Sequence, residues 1–156
     1  MQEHNNAARV VLVTGGTKGI GRGIAQAFLA GGDRVVVCAR QPPANLPECG
    51  GRVAEFVACD LREAEAVKAL VAGIVERHGR LDVLVNNAGG SPAADAATAS
   101  PRFHEGVIRL NLLSPFNLAQ AAKIRYEAEH TLTATPAELG FGRLPLGIAR
   151  VHMDEE

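Results

Sequence analysis

Four short runs dominated by apolar residues mark the first 85 positions: Val10 to Val13, Arg34 to Ala39, Ala54 to Ala58 and Leu81 to Val85. Runs of this length without polar alternation predict strands buried on both faces. Between them the period changes. Ile20, Ile24, Ala27, Phe28 and Gly31 recur at helical spacing, and Gly31-Gly32 closes that segment. Val67, Leu70, Val71, Ile74 and His78 share one face of a second predicted helix, Asp60 to His78, and Asp60-Leu61-Arg62-Glu63 has the form of a capping box with Asp60 as the cap. A Pro- and Gly-rich loop is expected over Gln41 to Gly51. A small-residue loop, Ser91 to Pro101, leads into a third helix over Phe103 to Tyr126. Strands alternating with helices in this way predict an α/β fold with a parallel sheet covered on both faces.

The break after the first run is the most informative stretch. Thr14-Gly15-x-x-x-Gly19-x-Gly21 follows a strand directly and opens a helix, the context that a dinucleotide-phosphate site requires. Gly15 permits the tight turn, Gly19 lets a pyrophosphate approach the backbone, and Gly21 lets the helix pack closely. The free N–H groups and dipole of the helix start favour a phosphate there.

This turn resembles the TGxxxGxG turn of the short-chain dehydrogenase/reductase family, and further matches follow at family spacing. Asn86-Asn87-Ala88-Gly89 resembles the family's NNAG turn after the fourth strand, and Asn111-Leu112-Leu113-Ser114-Pro115-Phe116 resembles the region of its tetrad asparagine. The resemblance runs from about Arg9 to Ala122. It implies a Rossmann-type doubly wound parallel sheet, and a hydride transfer between a nicotinamide and a carbonyl or alcohol carbon. It places the cofactor on Thr14, Gly15, Thr17, Lys18, Gly19, Ile20 and Gly21, on Arg40, on Asp60 and Leu61, and on Asn87, Ala88 and Gly89. Asn111 would be catalytic, helping to hold a water in the proton relay. An asparagine paired with a backbone carbonyl near Pro115 is the structural alternative. Asp60 likewise has two roles open: contact with the adenine amino group, or a helix cap.

Cofactor choice turns on the end of the second strand. An NAD site places an acid there for the ribose hydroxyls, but this chain has Ala39-Arg40. Lys18 stands in the first helical turn, where a cation opposes the dipole unless a phosphate offsets it. Both features resemble the NADP(H)-preferring members, so NADP(H) is expected rather than NAD.

The last fifth departs from the family. Its enzymes need a later strand ending in a catalytic Ser, then Tyr-x-x-x-Lys. Here the single tyrosine, Tyr126, is followed four residues on by His130, Lys123 precedes it, and Ser91, Ser100 and Ser114 all come too early. On a continuous helix Tyr126 would lie roughly 22 Å from Asn111, far beyond relay distance. Thr131 to Glu156 shows neither alternation nor a sustained stripe. The expectation is therefore a binding domain over 1–126, cut short after its fourth strand, with an irregular tail over 127–156. Three functional readings stay open: an impaired oxidoreductase, a non-catalytic or partner-dependent dinucleotide-binding module, and a remnant with no settled fold.

Composition narrows the class without changing that picture. The 156 residues, 47% hydrophobic and 21% charged with a net charge of −1, fit one globular domain and give no electrostatic reason to expect nucleic acid or anionic membrane. No run approaches the length of a bilayer span, and MQEHNNAAR does not read as a signal peptide. Cys38, Cys49 and Cys59 form no CxxC pair and suggest no metal set; free thiols in a reducing cytoplasm are expected. The remaining partners implied by the resemblance are a small-molecule carbonyl or alcohol, and a second copy joined through the 103–126 helix.

Overall fold

The computed structural model describes residues 8–95 and 97–129, with side chains described to residue 122. Its centre is a four-stranded sheet made of β1 (Val10–Thr14), β2 (Arg34–Ala39), β5 (Glu55–Ala58) and β6 (Val83–Val85). The strand order is β5-β2-β1-β6 and every pairing is parallel. Helix α1 (Gly19–Ala30) follows β1, α2 (Ala64–His78) follows β5, and α3 (Pro101–Ile108) leads through a π-helical turn, Arg109–Leu113, into α4 (Ser114–Glu129). This is the parallel α/β sheet that the apolar runs predict, in the doubly wound, Rossmann-type arrangement that the resemblance implies.

Alternation along the strands divides the core. Val10, Leu12, Val36 and Cys38 face α2 and α4, where Val67, Leu70, Val71, Ile74 and Leu118 close over them. Val11, Val13, Val35 and Val37 face α1 through Ala25 and Leu29. Both faces of β1 and β2 are therefore dry, which is why their sequences lack polar alternation. A buried carboxylate fastens the strand entry: Asp33 accepts from Arg9 Nε at 3.0 Å and Nη2 at 2.7 Å. That guanidinium holds the Asp33 carboxyl below its ordinary range.

Several boundaries differ from expectation for identifiable reasons. The fourth strand begins at Val83, not Leu81, because the Asp82 carboxylate takes the Val10 N–H at 2.7 Å in place of a ladder carbonyl. The third begins at Glu55, since the Ala54 N–H is committed to the Pro47 carbonyl at 2.9 Å. Within the expected loop, β3 (Glu48–Cys49) and β4 (Arg52–Val53) form an antiparallel hairpin turned by Gly50 and Gly51, both at positive φ. On α1 the buried stripe is Gly21, Ala25 and Leu29; Ile20, expected on the core face, is 80% exposed.

Asp60 is not the cap of α2. The helix begins at Ala64 with Glu63 before it, and residues 60–63 form a turn in which the Glu63 N–H donates to the Asp60 carbonyl at 3.1 Å. The capping-box reading fails because the Asp60 side chain is spent on Arg62, not on the helix.

The third predicted helix starts at Pro101, capped by Ser100, whose Oγ accepts the Phe103 N–H at 3.2 Å. Pro115 brings no N–H, so the α-helical register cannot continue through it. The π-helical turn precedes it, and the Ser114 hydroxyl turns to the carbonyls of Arg109, at 3.0 Å, and Leu110, at 2.7 Å. Helix α4 runs past Tyr126 to Glu129. His130 and the expected irregular tail from residue 130 onward lie outside the described residues.

Among the described residues no helix is long and apolar enough to cross a membrane.

Candidate dinucleotide-binding cleft

At the carboxyl ends of β1, β2 and β5 lies a cleft of about 770 Å³. The turn between β1 and α1 forms one wall. Gly15 and Gly19 have φ of 63° and 54°, a region that other residues adopt only with strain. Gly21 is the closest approach. A Cβ there would stand within 2.5 Å of the Gly15 carbonyl oxygen and closer still to Asn87 Nδ2. Gly16, which the sequence reading passed over, is equally constrained, since its Cβ would meet Val37 Cγ1 at 2.5 Å.

Helix α1 opens with Lys18 in the cap position. No side chain caps it and no acid stands in its first turn. Its leading N–H groups therefore face the cleft without an anionic partner of their own, and the dipole adds positive potential there. Around Gly19 a Cβ would meet nothing within 4 Å, so that side of the turn is open space.

The floor is the segment after β6, and Thr14 holds it. The Thr14 hydroxyl accepts the N–H groups of Asn87 and Ala88, each at 3.0 Å, and donates to the Val85 carbonyl at 3.2 Å. Asn87 returns the contact, its Nδ2 donating to the Thr14 carbonyl at 2.8 Å. The predicted Thr14 thus lies under the cleft as a strut and does not line it.

Asn111 pairs with backbone carbonyls, as its structural alternative expects, but those of Gly90 and Val107. It is exposed, and its amide brackets the backbone of Gly90. Oδ1 accepts the Gly90 N–H at 2.8 Å, while Nδ2 donates to the Gly90 carbonyl at 2.9 Å and the Val107 carbonyl at 2.8 Å. A Cβ on Gly89 would come 2.8 Å from Asn111 Oδ1, so the small residue at 89 permits the clamp.

The outer end is polar. Lys18, Arg40, Asp60 and Arg62 line it. The Arg62 guanidinium, hydrogen-bonded to Asp60, holds that carboxyl below its ordinary range. Beneath them Cys38 and Cys59 are buried and unpaired. Burial, then the neighbouring Cys59, pushes the Cys38 thiol up to about 12. Both thiols are therefore part of the wall and not nucleophiles.

Of the residues predicted to bind cofactor, Gly15, Lys18, Gly19, Ile20, Gly21, Arg40, Asp60, Leu61, Asn87, Ala88 and Gly89 gather around this one cleft. Thr17 does not line it. Arg62 and Arg102 were missed, because a cation on a helix approach carries no pattern of its own.

The family model for short chain dehydrogenase matches residues 9–129. The chain belongs to the short-chain dehydrogenase family. It is 41% identical over 125 residues to L-fucose dehydrogenase of Oryctolagus cuniculus, covering 74% of this chain and 42% of that protein. Among solved structures, a metagenomic short-chain oxidoreductase in complex with NADP superposes with a TM-score of 0.69 at 35% identity, over 77% of this chain and 57% of that one. NADH-dependent reductase A1-R' complexed with NAD gives 0.71 at 27% identity, over 78% and 53%. The chain thus spans less than half the length of the L-fucose dehydrogenase it matches. Family structures hold both nicotinamide dinucleotides, so the family alone does not select between them.

The open space at Gly19 gives a clean test of the cleft. Gly19→Ala is expected to cost about 1 kcal/mol of stability, the strain of a side chain at positive φ. Dinucleotide affinity should fall at least tenfold while the melt stays cooperative, as read by calorimetric titration beside a thermal scan.

Proposed function

We propose that these residues form the cofactor-binding part of an oxidoreductase that passes hydride between a nicotinamide and a carbonyl or alcohol carbon of a small molecule, with NADP(H) preferred over NAD. The observation that carries the preference is at the rim. The side chains of Lys18 and Arg40 line the cleft, and neither has a hydrogen-bond or ion-pair partner among the described residues. Two cations without a hydrogen-bonded partner among the described residues, beside an uncapped helix start, suit a phosphomonoester on the adenosine ribose. The cofactor supplies the hydride chemistry. Gly15, Gly19 and Gly21 would accept its pyrophosphate against the backbone, and the Asn87–Gly89 floor would bear its nicotinamide half.

Asn111 would act on the proton through its backbone. Because Pro115 lacks an N–H, the Asn111 carbonyl is denied its α-helical donor and can accept from a water instead. The side-chain clamp on Gly90 ties Asn111 to the segment that lines the cleft. The three unpaired thiols fit a reducing, cytoplasmic setting. The apolar strip of Ile108, Leu112 and Phe116, each at least 50% exposed, fits the pairing with a second copy that the resemblance implies for this helix.

A second reading, binding without turnover by these 156 residues, is favoured by two facts. The single tyrosine is followed four residues on by His130, not lysine, and no serine follows Ser114. We expect these 156 residues to bind NADPH and to reduce carbonyl compounds negligibly; steady NADPH oxidation with a carbonyl substrate would contradict this. For the cofactor preference, the double variant Lys18→Gln/Arg40→Gln should weaken NADPH by about a hundredfold, tenfold per charge-assisted contact, and NADH by less than threefold. Equal losses would overturn the preference.

A further inference from the structure

The Asp60–Arg62 pair lines the outer end of the cleft together with Arg40, and Arg62 engages both oxygens of the Asp60 carboxylate. Asp60 Oδ1 accepts the Arg62 backbone N–H at 3.1 Å and Arg62 Nε at 2.9 Å. Oδ2 accepts Arg62 Nε at 3.2 Å and also Nη2. Three N–H groups of one residue thus cover both carboxylate oxygens, and a purine amino group that takes Asp60 has to compete with Arg62 for them. The pair is not locked in place. The Asp60 and Arg62 side chains are 31% and 38% exposed, and an ion pair at such a rim is readily exchanged. Arg40 stands near enough for its charge to act on the same carboxyl.

We propose that Arg62 is a specificity-determining residue of the cleft, parked on Asp60 until the adenosine end of the cofactor arrives and then turned to the 2′-phosphate beside Arg40. The inference rests on the NADP(H) reading above. An amino group that takes Asp60 releases a guanidinium whose planar fork matches a phosphate bidentately. Base and phosphate are then recognised together. A dinucleotide without the phosphate must still displace Arg62, and gives the freed cation no partner in return.

Calorimetric titration of the full chain with NADPH, NADH and 2′,5′-ADP tests this in wild type, Arg62→Gln and Arg62→Lys. Wild-type binding of NADPH or 2′,5′-ADP is the check on the cleft itself; without it the underlying reading fails, and this inference with it. Given that binding, Arg62→Gln should weaken NADPH and 2′,5′-ADP about tenfold, the value of one charge-assisted contact. NADH should stay unchanged or tighten, because Asp60 is no longer occupied. Arg62→Lys should recover part of the NADPH affinity. Unchanged NADPH and 2′,5′-ADP affinity in Arg62→Gln, or an equal loss for NADPH and NADH, overturns the proposal.

Discussion

Gly21→Ala should lose dinucleotide binding and melt about 10 °C lower, from an overpacking cost of about 3 kcal/mol. The new methyl has no room to relax into. One of its neighbours, the Gly15 carbonyl within 2.5 Å, is backbone of a turn already held at positive φ, and the other, Asn87 Nδ2, is tied to the Thr14 carbonyl. Relief requires either α1 to move off the sheet or the Asn87 floor to drop, and either change opens the cleft. The contrast with Gly19→Ala is the useful part. At position 19 affinity falls while stability drops by only about 1 kcal/mol, whereas at position 21 both are lost heavily. A Gly21→Ala protein with wild-type melting temperature and affinity would mean that the turn packs less tightly than described.

Thr14→Val carries the second large effect. Valine fills the same volume at a site only 1% exposed, so the loss is polar. The Ala88 N–H is left without its partner, the Asn87 N–H keeps only the Val85 carbonyl at 3.1 Å, and that carbonyl loses the hydroxyl donor. Orphaning buried groups in this way costs about 2–3 kcal/mol. Chemical denaturation should show that loss with an unchanged m-value, and NADPH affinity should fall because the floor over 87–89 is no longer registered to β1. Thr14→Ser keeps the hydroxyl and should retain most of both. A Thr14→Val protein as stable as wild type would remove Thr14 from its role as a strut.

The two glycines and the threonine also show what could be read in the chain. Strand, glycine turn and helix were legible because every level agrees there: the apolar run, the forced positive φ and the spacing. The β1–β2 core was legible because burial on both faces erases alternation. Two of the failures share a cause, which is side chains standing in for backbone. Asp82 takes a ladder position and shortens β6; Asp60 turns to Arg62 and leaves α2 to begin at Ala64. The π-helical turn that holds Asn111 against Gly90 has no sequence period of its own and was not foreseen. The hairpin over 48–53 was hidden because two-residue strands carry no period, although Gly50-Gly51 signals its turn. Arg62 was missed because partner choice among surface charges is decided in three dimensions.

On the reading proposed above, this cleft binds a nicotinamide dinucleotide and prefers the one bearing a 2′-phosphate. A thermal melt of the purified chain, alone and with NADPH or NADH, tests it most directly. NADPH at a hundred times its dissociation constant adds about 2.7 kcal/mol, a rise of roughly 5–10 °C for a domain of this size. One cooperative transition is expected, raised in this way by NADPH and by NADH much less at equal concentration. A cooperative transition that neither dinucleotide moves, or that NADH raises as far as NADPH, would contradict it.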